Sequence, residues 1–376
     1  LALRHAQAAV AERPQYRGNV SYVSTAQFLR RPQDSPNVGH GHHWFGHAES
    51  YFGVGDVLGR EMLRIITNGT PAGSDEHPGP AVAPGNTATA RWASTLFDGY
   101  SAERAFETIA YADRWFREPG NEGFEATLDH VLEQLREVGF GKEELLQLEV
   151  IETPMRSEAW TPKSAQLKLV VEGEPDRVLL SFRNSHDEHR TMLPVHAPSC
   201  DVEGPLCFDA EQLKKGDIFV TDGSASRAMR TARSRGAVAV LSSRLSDFNV
   251  DPTGGDRHLD AIHYSSVRGG DFPVAMISPR VHSILRDHPT GRISLQAKVI
   301  TEKKPLRTVV ATVVGKGLPD EAVALAAHVQ EPGAVDNASG VGGQLEGARS
   351  LVNSLRQQKI GWPRRSISFI WGDEMT

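Results

Sequence analysis

The stretch at residues 322–343, AVALAAHVQEPGAVDNASGVGG, limits what this chain can fold into more than any other. An apolar run reads as a buried strand and ends at His328. A turn containing Pro and Gly then carries Asp336, and a small-residue segment opens a helix. A second apolar run, SISFIWGDE, ends with Asp373 and Glu374 side by side. Two strands that finish in ligand-type side chains suggest a site along the carboxyl edge of a parallel sheet, where open α/β folds hold their ligands. The expected fold class is therefore α/β: a partly parallel, twisted sheet covered by helices.

At 376 residues the chain has room for two or three cores. Its formal net charge of -6 is mild and scattered, with no Lys/Arg block to neutralise phosphates, so nucleic acid is not an expected partner. No apolar run reaches the roughly 20 residues needed to span a bilayer. The first residue is Leu1 and no signal-peptide pattern follows it, which leads us to expect that processing or truncation removed the true start. Cys200 and Cys207 are either a small disulfide loop or two free thiols, and they do not decide the compartment. The triplets at Asn19, Asn68 and Asn337 match the glycosylation pattern, which arises often by chance.

Four regions follow in order. Residues 1–95 begin with a helical pattern, carry a second one before Asn68-Gly69, and include a Pro- and Gly-rich linker at 71–84. Their role is not assigned by the sequence. Within them His40, His42, His43 and His47 lie close enough to hold Zn or Ni. A solvated loop beside Trp44 and Phe45 is the better reading, because no Cys or carboxylate completes a ligand spacing. Residues 96–161 contain two amphipathic helical patterns, split at Pro119-Gly120 and closed at Gly139, followed by strand-like segments. Residues 162–300 mix strands and short helices and read as an insert of α+β or β-rich type. His186 and His189 in SHDEH sit in uniformly polar surroundings and read as an exposed loop rather than a ligand pair. Residues 301–376 then alternate strand, strand, helix, strand.

The chemistry sits in the two strand-end loops. Zinc takes imidazole nitrogen and carboxylate oxygen, and catalytic sites keep one position open. Two metals about 3.5–4 Å apart need a bridging ligand, a task suited to a carboxylate with its two oxygens. Asp336 is the natural bridge, His328 and Glu374 the ligands on either side, and Asp373 the group placed to take a proton from water.

These residues resemble a known family. HVQEPGAVDNASG, from His328 to Gly340, looks like the first metal motif of the dizinc exopeptidases of clan MH, and FIWGDE, ending at Asp373 and Glu374, looks like their second. REPGNEG resembles the start of that family's domain, and GDIFVTDG with GAVAVLSS resembles a protease-associated insert. The resemblance covers roughly residues 100–376. It implies two zinc ions, a peptide or protein substrate, His328 and Glu374 holding one zinc each, Asp336 bridging, Asp373 as general base, and secretion or a periplasmic location. Gln330 stands where the family commonly has an Asp that orients the first histidine, and a neutral amide raises ligand basicity less. Asp373 stands where Glu is usual. The family's last two ligands follow the second motif, so the resemblance also implies that this chain is a fragment. A glutaminyl-cyclase-like enzyme with one zinc and a non-catalytic binding module are the alternatives on the same scaffold. Oligomeric state is not legible.

Overall fold

The structure, a computed structural model, describes residues 8–14, 20–31, 34, 47–66, 88–183, 187, 189–246, 258–267 and 271–374. Of the N-terminal histidines only His47 falls among them; His40, His42 and His43, the linker at 71–84, His186, Asn19 and Asn68 lie outside the described residues.

Helices α1 (Ala48–Ile66), α2 (Ala88–Gly99), α3 (Ala102–Asp113) and α4 (Glu122–Val138) precede the first strand, β1 (Leu146–Pro154). The spacing of Phe124, Leu128, Val131, Leu132, Leu135 and Val138 gives α4 one apolar stripe, and all six are buried. Its ends are set locally. The Asn121 side chain accepts from the Phe124 amide at 2.9 Å, and Gly139 at φ 114° terminates the helix in the left-handed region.

Four strands form the first sheet in the order β1, β9 (Pro305–Val313), β11 (Arg365–Gly372), β10 (Leu318–His328). β9 runs antiparallel to both neighbours, while β10 and β11 are parallel and joined through helix α7 (Ser339–Arg356). A parallel pair needs such a crossover. Val341, Leu345, Ala348, Leu351, Val352 and Leu355 of α7 bury themselves against the sheet in one core with α4. Gly342 is required there, because a Cβ would stand 2.6 Å from the Ala105 carbonyl of α3.

Between β1 and β9 the chain builds a second sheet of seven strands. Its order is β3 (Arg177–Phe182), β2 (Ala159–Val170), β8 (Arg292–Glu302), β4 (Cys200–Cys207), β5 (Ile218–Thr221), β6 (Ala239–Ser242), β7 (Val274–Met276). β2 and β8 pair antiparallel from Ala159 opposite Glu302 to Val170 opposite Arg292, so the chain leaves and rejoins the first sheet at one place. Helices α5 (Ala225–Arg235) and α6 (Pro279–Asp287) accompany the parallel half, β4 to β7, and the layer has its own core. The described residues form a mixed α/β fold, with no closed barrel among them. Cys200 and Cys207 are free thiols, and burial pushes Cys200 up to about 11, which keeps it an inert thiol at neutral pH. No helix among the described residues is long and apolar enough to cross a membrane.

Candidate metal centre

The parallel pairing of β10 with β11 sets His328 opposite Gly372, so the side chains just past Gly372 emerge beside the imidazole. His328 Nε2 lies 3.0 Å from Asp336 Oδ1 and 3.8 Å from Glu374 Oε2. The histidine side chain is largely buried at 14% exposure, whereas Asp336 and Glu374 are about half open at 54% and 49%. The structure brings the three ligand candidates together, with Asp373 between Gly372 and Glu374 on the same strand end.

The loop between His328 and Asp336 is built by several local devices. Val329 N–H donates to the Gly372 carbonyl at 2.8 Å, extending the β10–β11 ladder by one rung. Gly333 occupies φ 114°, a left-handed conformation natural to glycine. The Asp336–Asn337 peptide is cis. Asn337 is committed to the start of α7, its side-chain oxygen accepting from Gly340 N–H at 3.0 Å. At the other strand end, buried Trp371 donates from Nε1 to the Val341 carbonyl at 3.3 Å, and Gln344 Nε2 donates to the Ile370 carbonyl at 2.9 Å.

An imidazole flanked by two carboxylates is a donor set of the kind zinc takes, and the surplus of negative charge invites a cation. The residues fit such an ion in type and in their convergence on one nitrogen. They leave its shell incomplete, since among the described residues no group of three or more His, Cys, Asp or Glu side chains is gathered to hold an ion as it stands. No hydrogen bond joins Gln330 to His328. Both amide atoms are buried without a hydrogen-bond partner, and so is His328 Nδ1, two residues away. His47 starts α1, and its Nδ1 is likewise buried and unpartnered. One turn later Tyr51 feels the charge of Asp336: burial first and Asp336 second raise its phenol.

Sequence reasoning missed the supports behind the loop. Arg117, fully buried, donates from Nε to the Val329 carbonyl at 2.8 Å and from one terminal nitrogen to the Gly333 carbonyl at 2.7 Å. Its other terminal nitrogen donates to the Ala112 carbonyl, and Glu331 N–H donates back to the Arg117 carbonyl at 2.7 Å. Burial lowers the guanidinium to about 10, so it stays charged at neutral pH. Glu118 is 8% exposed, accepts from the Tyr264 hydroxyl, and feels the like charges of Glu331 and Asp373. His189 hydrogen-bonds the Ser181 backbone rather than standing as a ligand. Ser243 Oγ and His282 Nδ1 lie 2.6 Å apart, but Arg286 donates to His282 Nε2 at 3.3 Å. That bond assigns the ring proton to Nδ1, so the histidine donates to the serine and does not activate it.

Burial pushes the Glu118 carboxyl up to about 7; the Tyr264 hydrogen bond opposes this and the like charges of Glu331 and Asp373 add to it. An unfolded Glu ionises near 4.5, so between these values the folded chain keeps a proton that the unfolded chain has released. Stability from this group is complete below about 4.5, falls as pH rises, and is gone above about 7, an effect of at most about 3 kcal/mol. Urea unfolding across this window should show the parent losing stability with pH more steeply than Glu118→Gln, which has no such proton; parallel curves would contradict it.

Residues 308–374 match the family model for Peptidase family M28. No curated protein matches the sequence. Among solved structures the chain is similar to a Peptidase M28 precursor from Shewanella amazonensis SB2B, at 14% identity and a TM-score of 0.50 over 76% of this chain and 67% of that one. It is also similar to an aminopeptidase from Aneurinibacillus sp. strain AM-1 (18% identity, TM-score 0.41, 74% and 63%). A zinc aminopeptidase from Bacillus subtilis is a third (18%, 0.44, 72% and 61%). The chain thus spans 63% of the Aneurinibacillus protein's length and 61% of the Bacillus protein's.

Proposed function

We propose that residues 301–374 form the metal-binding half of a zinc-dependent exopeptidase, of aminopeptidase type, acting on the end of a peptide. One observation carries the reading: His328 Nε2 is flanked by Asp336 and Glu374 at the carboxyl edge of a parallel strand pair. The match of residues 308–374 to Peptidase family M28 supports it. His328 and Glu374 would hold one zinc each, and Asp336 would serve both. Zinc, when bound, supplies Lewis-acid polarisation of the scissile carbonyl and a more acidic water. Asp373 takes the proton of the attacking water and returns it to the leaving amine. Trp371 and Gln344 fix the strand end that presents Asp373, and Arg117 fixes the loop that presents Asp336. The seven-stranded layer serves as a protease-associated insert, and the protein works outside the cytoplasm.

A single-zinc enzyme of glutaminyl-cyclase type is the second reading, favoured by the one imidazole between two carboxylates. Zinc content and hydrolysis of aminoacyl-p-nitroanilides, measured on this chain and on its full natural reading frame, test both. We expect two zinc ions per active chain, with His328→Ala and Asp336→Ala each removing bound zinc and lowering hydrolysis by at least about a thousandfold. One zinc per chain with cyclase turnover supports the second reading. A metal-free, inactive full-length protein would leave a binding module as the account.

A further inference from the structure

Residues 116–121 touch three parts of the molecule at once. The Phe116 ring meets Trp160 edge-on at 5.7 Å and Tyr264 at 6.1 Å, within the core of the seven-stranded layer. Arg117 grips the loop between His328 and Asp336. Asn121 Nδ2 donates to the Phe116 carbonyl at 2.9 Å while its oxygen caps α4. Glu118 lies between these grips. One carboxyl oxygen accepts from Tyr264, which belongs to the segment 258–267 of the inserted layer. That segment is itself anchored, with Val195 N–H donating to Ser265 at 2.8 Å and Val267 N–H donating to Val195 at 3.0 Å. The like charges of Glu331, in the loop after His328, and of Asp373, at the strand end, also act on this carboxyl.

A buried carboxyl is expensive to keep and is retained only where its bonds are satisfied. An apolar residue would fill the same space at lower cost if cohesion between the layers were all that mattered. We propose that Glu118 is a positioning residue for the loop between His328 and Asp336, acting through its neighbour Arg117, and that Tyr264 holds it in place from the inserted sheet. The inserted layer is then a working part of the site: any displacement of the segment 258–267 reaches the residue beside Arg117, and with it the grip on the loop, through one hydrogen bond. This rests on the reading of that loop as the carrier of the metal ligands His328 and Asp336.

Tyr264→Phe removes the hydroxyl and keeps the ring against Phe116. Glu118→Leu removes the acceptor, and Glu118→Gln keeps it. Hydrogen exchange on the full chain reads the amides of Val329 and Glu331, which donate to Gly372 and Arg117. We expect Tyr264→Phe and Glu118→Leu each to speed these two amides about tenfold while the β9 amides keep parent rates. Glu118→Gln should stay within about twofold of the parent, and the Tyr264→Phe, Glu118→Leu double variant should be no faster than either single one. In the active enzyme, Tyr264→Phe should lower kcat about tenfold with KM within about twofold. Exchange needs neither zinc nor turnover, so an inactive parent would defeat the peptidase reading while this arm still decides the contact. Unchanged exchange at 329 and 331, acceleration spread equally over β9, or an effect on KM alone would overturn the proposal.

Discussion

Replacing Arg117 with Ala should destabilise the chain by about 3–5 kcal/mol and release zinc from the site. The guanidinium is fully buried and donates to the carbonyls of Val329, Gly333 and Ala112, with a weaker bond to Trp115 at 3.4 Å. Without it the Val329 and Gly333 carbonyls lose this donor, each at roughly 1 kcal/mol or more, Ala112 keeps only the Trp115 and Arg114 N–H groups, and the space of the Arg stem is left empty. Lysine would not repair the loss, because it has no planar fork to reach separated carbonyls. The effect is aimed at the site. Val329 and Gly333 bracket the loop that delivers Asp336, and both anchor points go together. Urea unfolding gives the energy and zinc analysis of the refolded variant gives the occupancy. An Arg117→Ala chain within about 1 kcal/mol of the parent, with zinc intact, would show that water replaces the fork without penalty.

Trp371→Ala should cost a similar amount, about 3–5 kcal/mol, while Trp371→Phe should cost clearly less. The indole is fully buried, stacks on Phe369 at 6.3 Å between ring centres, and donates to the Val341 carbonyl at the beginning of α7. Truncation to Ala removes the packing and the bond together; Phe keeps most of the volume and leaves one carbonyl short of a donor. Trp371 is two residues ahead of Asp373, and its indole bonds the helix that follows the loop carrying Asp336. The variant should therefore also loosen the spacing of the two ligand loops, seen as weaker zinc retention in Ala than in Phe. Equal unfolding midpoints for the two variants would place the energy in the hydrogen bond and not in the packing.

The strand, loop and helix at 322–343 were legible because each carries a local signal: an apolar run, a Pro and Gly turn, then small residues with helical spacing. Asp373 and Glu374 could be read from their place after the apolar run of β11. Helices α3 and α4 followed from periodicity, from the break at Pro119-Gly120 and from Gly139 at the end of α4. Arg117 could not be found this way, since its partner Val329 is 212 positions distant and a buried arginine looks like any surface arginine in sequence. Glu118 and Tyr264, 146 positions apart, share that problem: a polar contact between distant segments leaves no period behind. The pairing of β1 with β9 around the inserted layer is equally silent, although both strands were expected. Gln330 is the opposite case. It stood out as a departure at a place where an orienting group was expected, and the structure leaves its amide unbonded.

The ladder between β2 and β8 also governs how the first sheet is assembled. Pro154 at the end of β1 faces Pro305 at the start of β9, with everything between them to be gathered before that rung can form. Left as open coil, a loop of about 150 residues would make closure costly; once Ala159 is zipped to Glu302, β1 and β9 meet as the arms of a short hairpin. The difference in closure entropy is about 3 kcal/mol. A chain whose contacts look distant in sequence thereby folds as though many of them were near, and the long interruption in the first sheet becomes a kinetic convenience once the inserted layer has set.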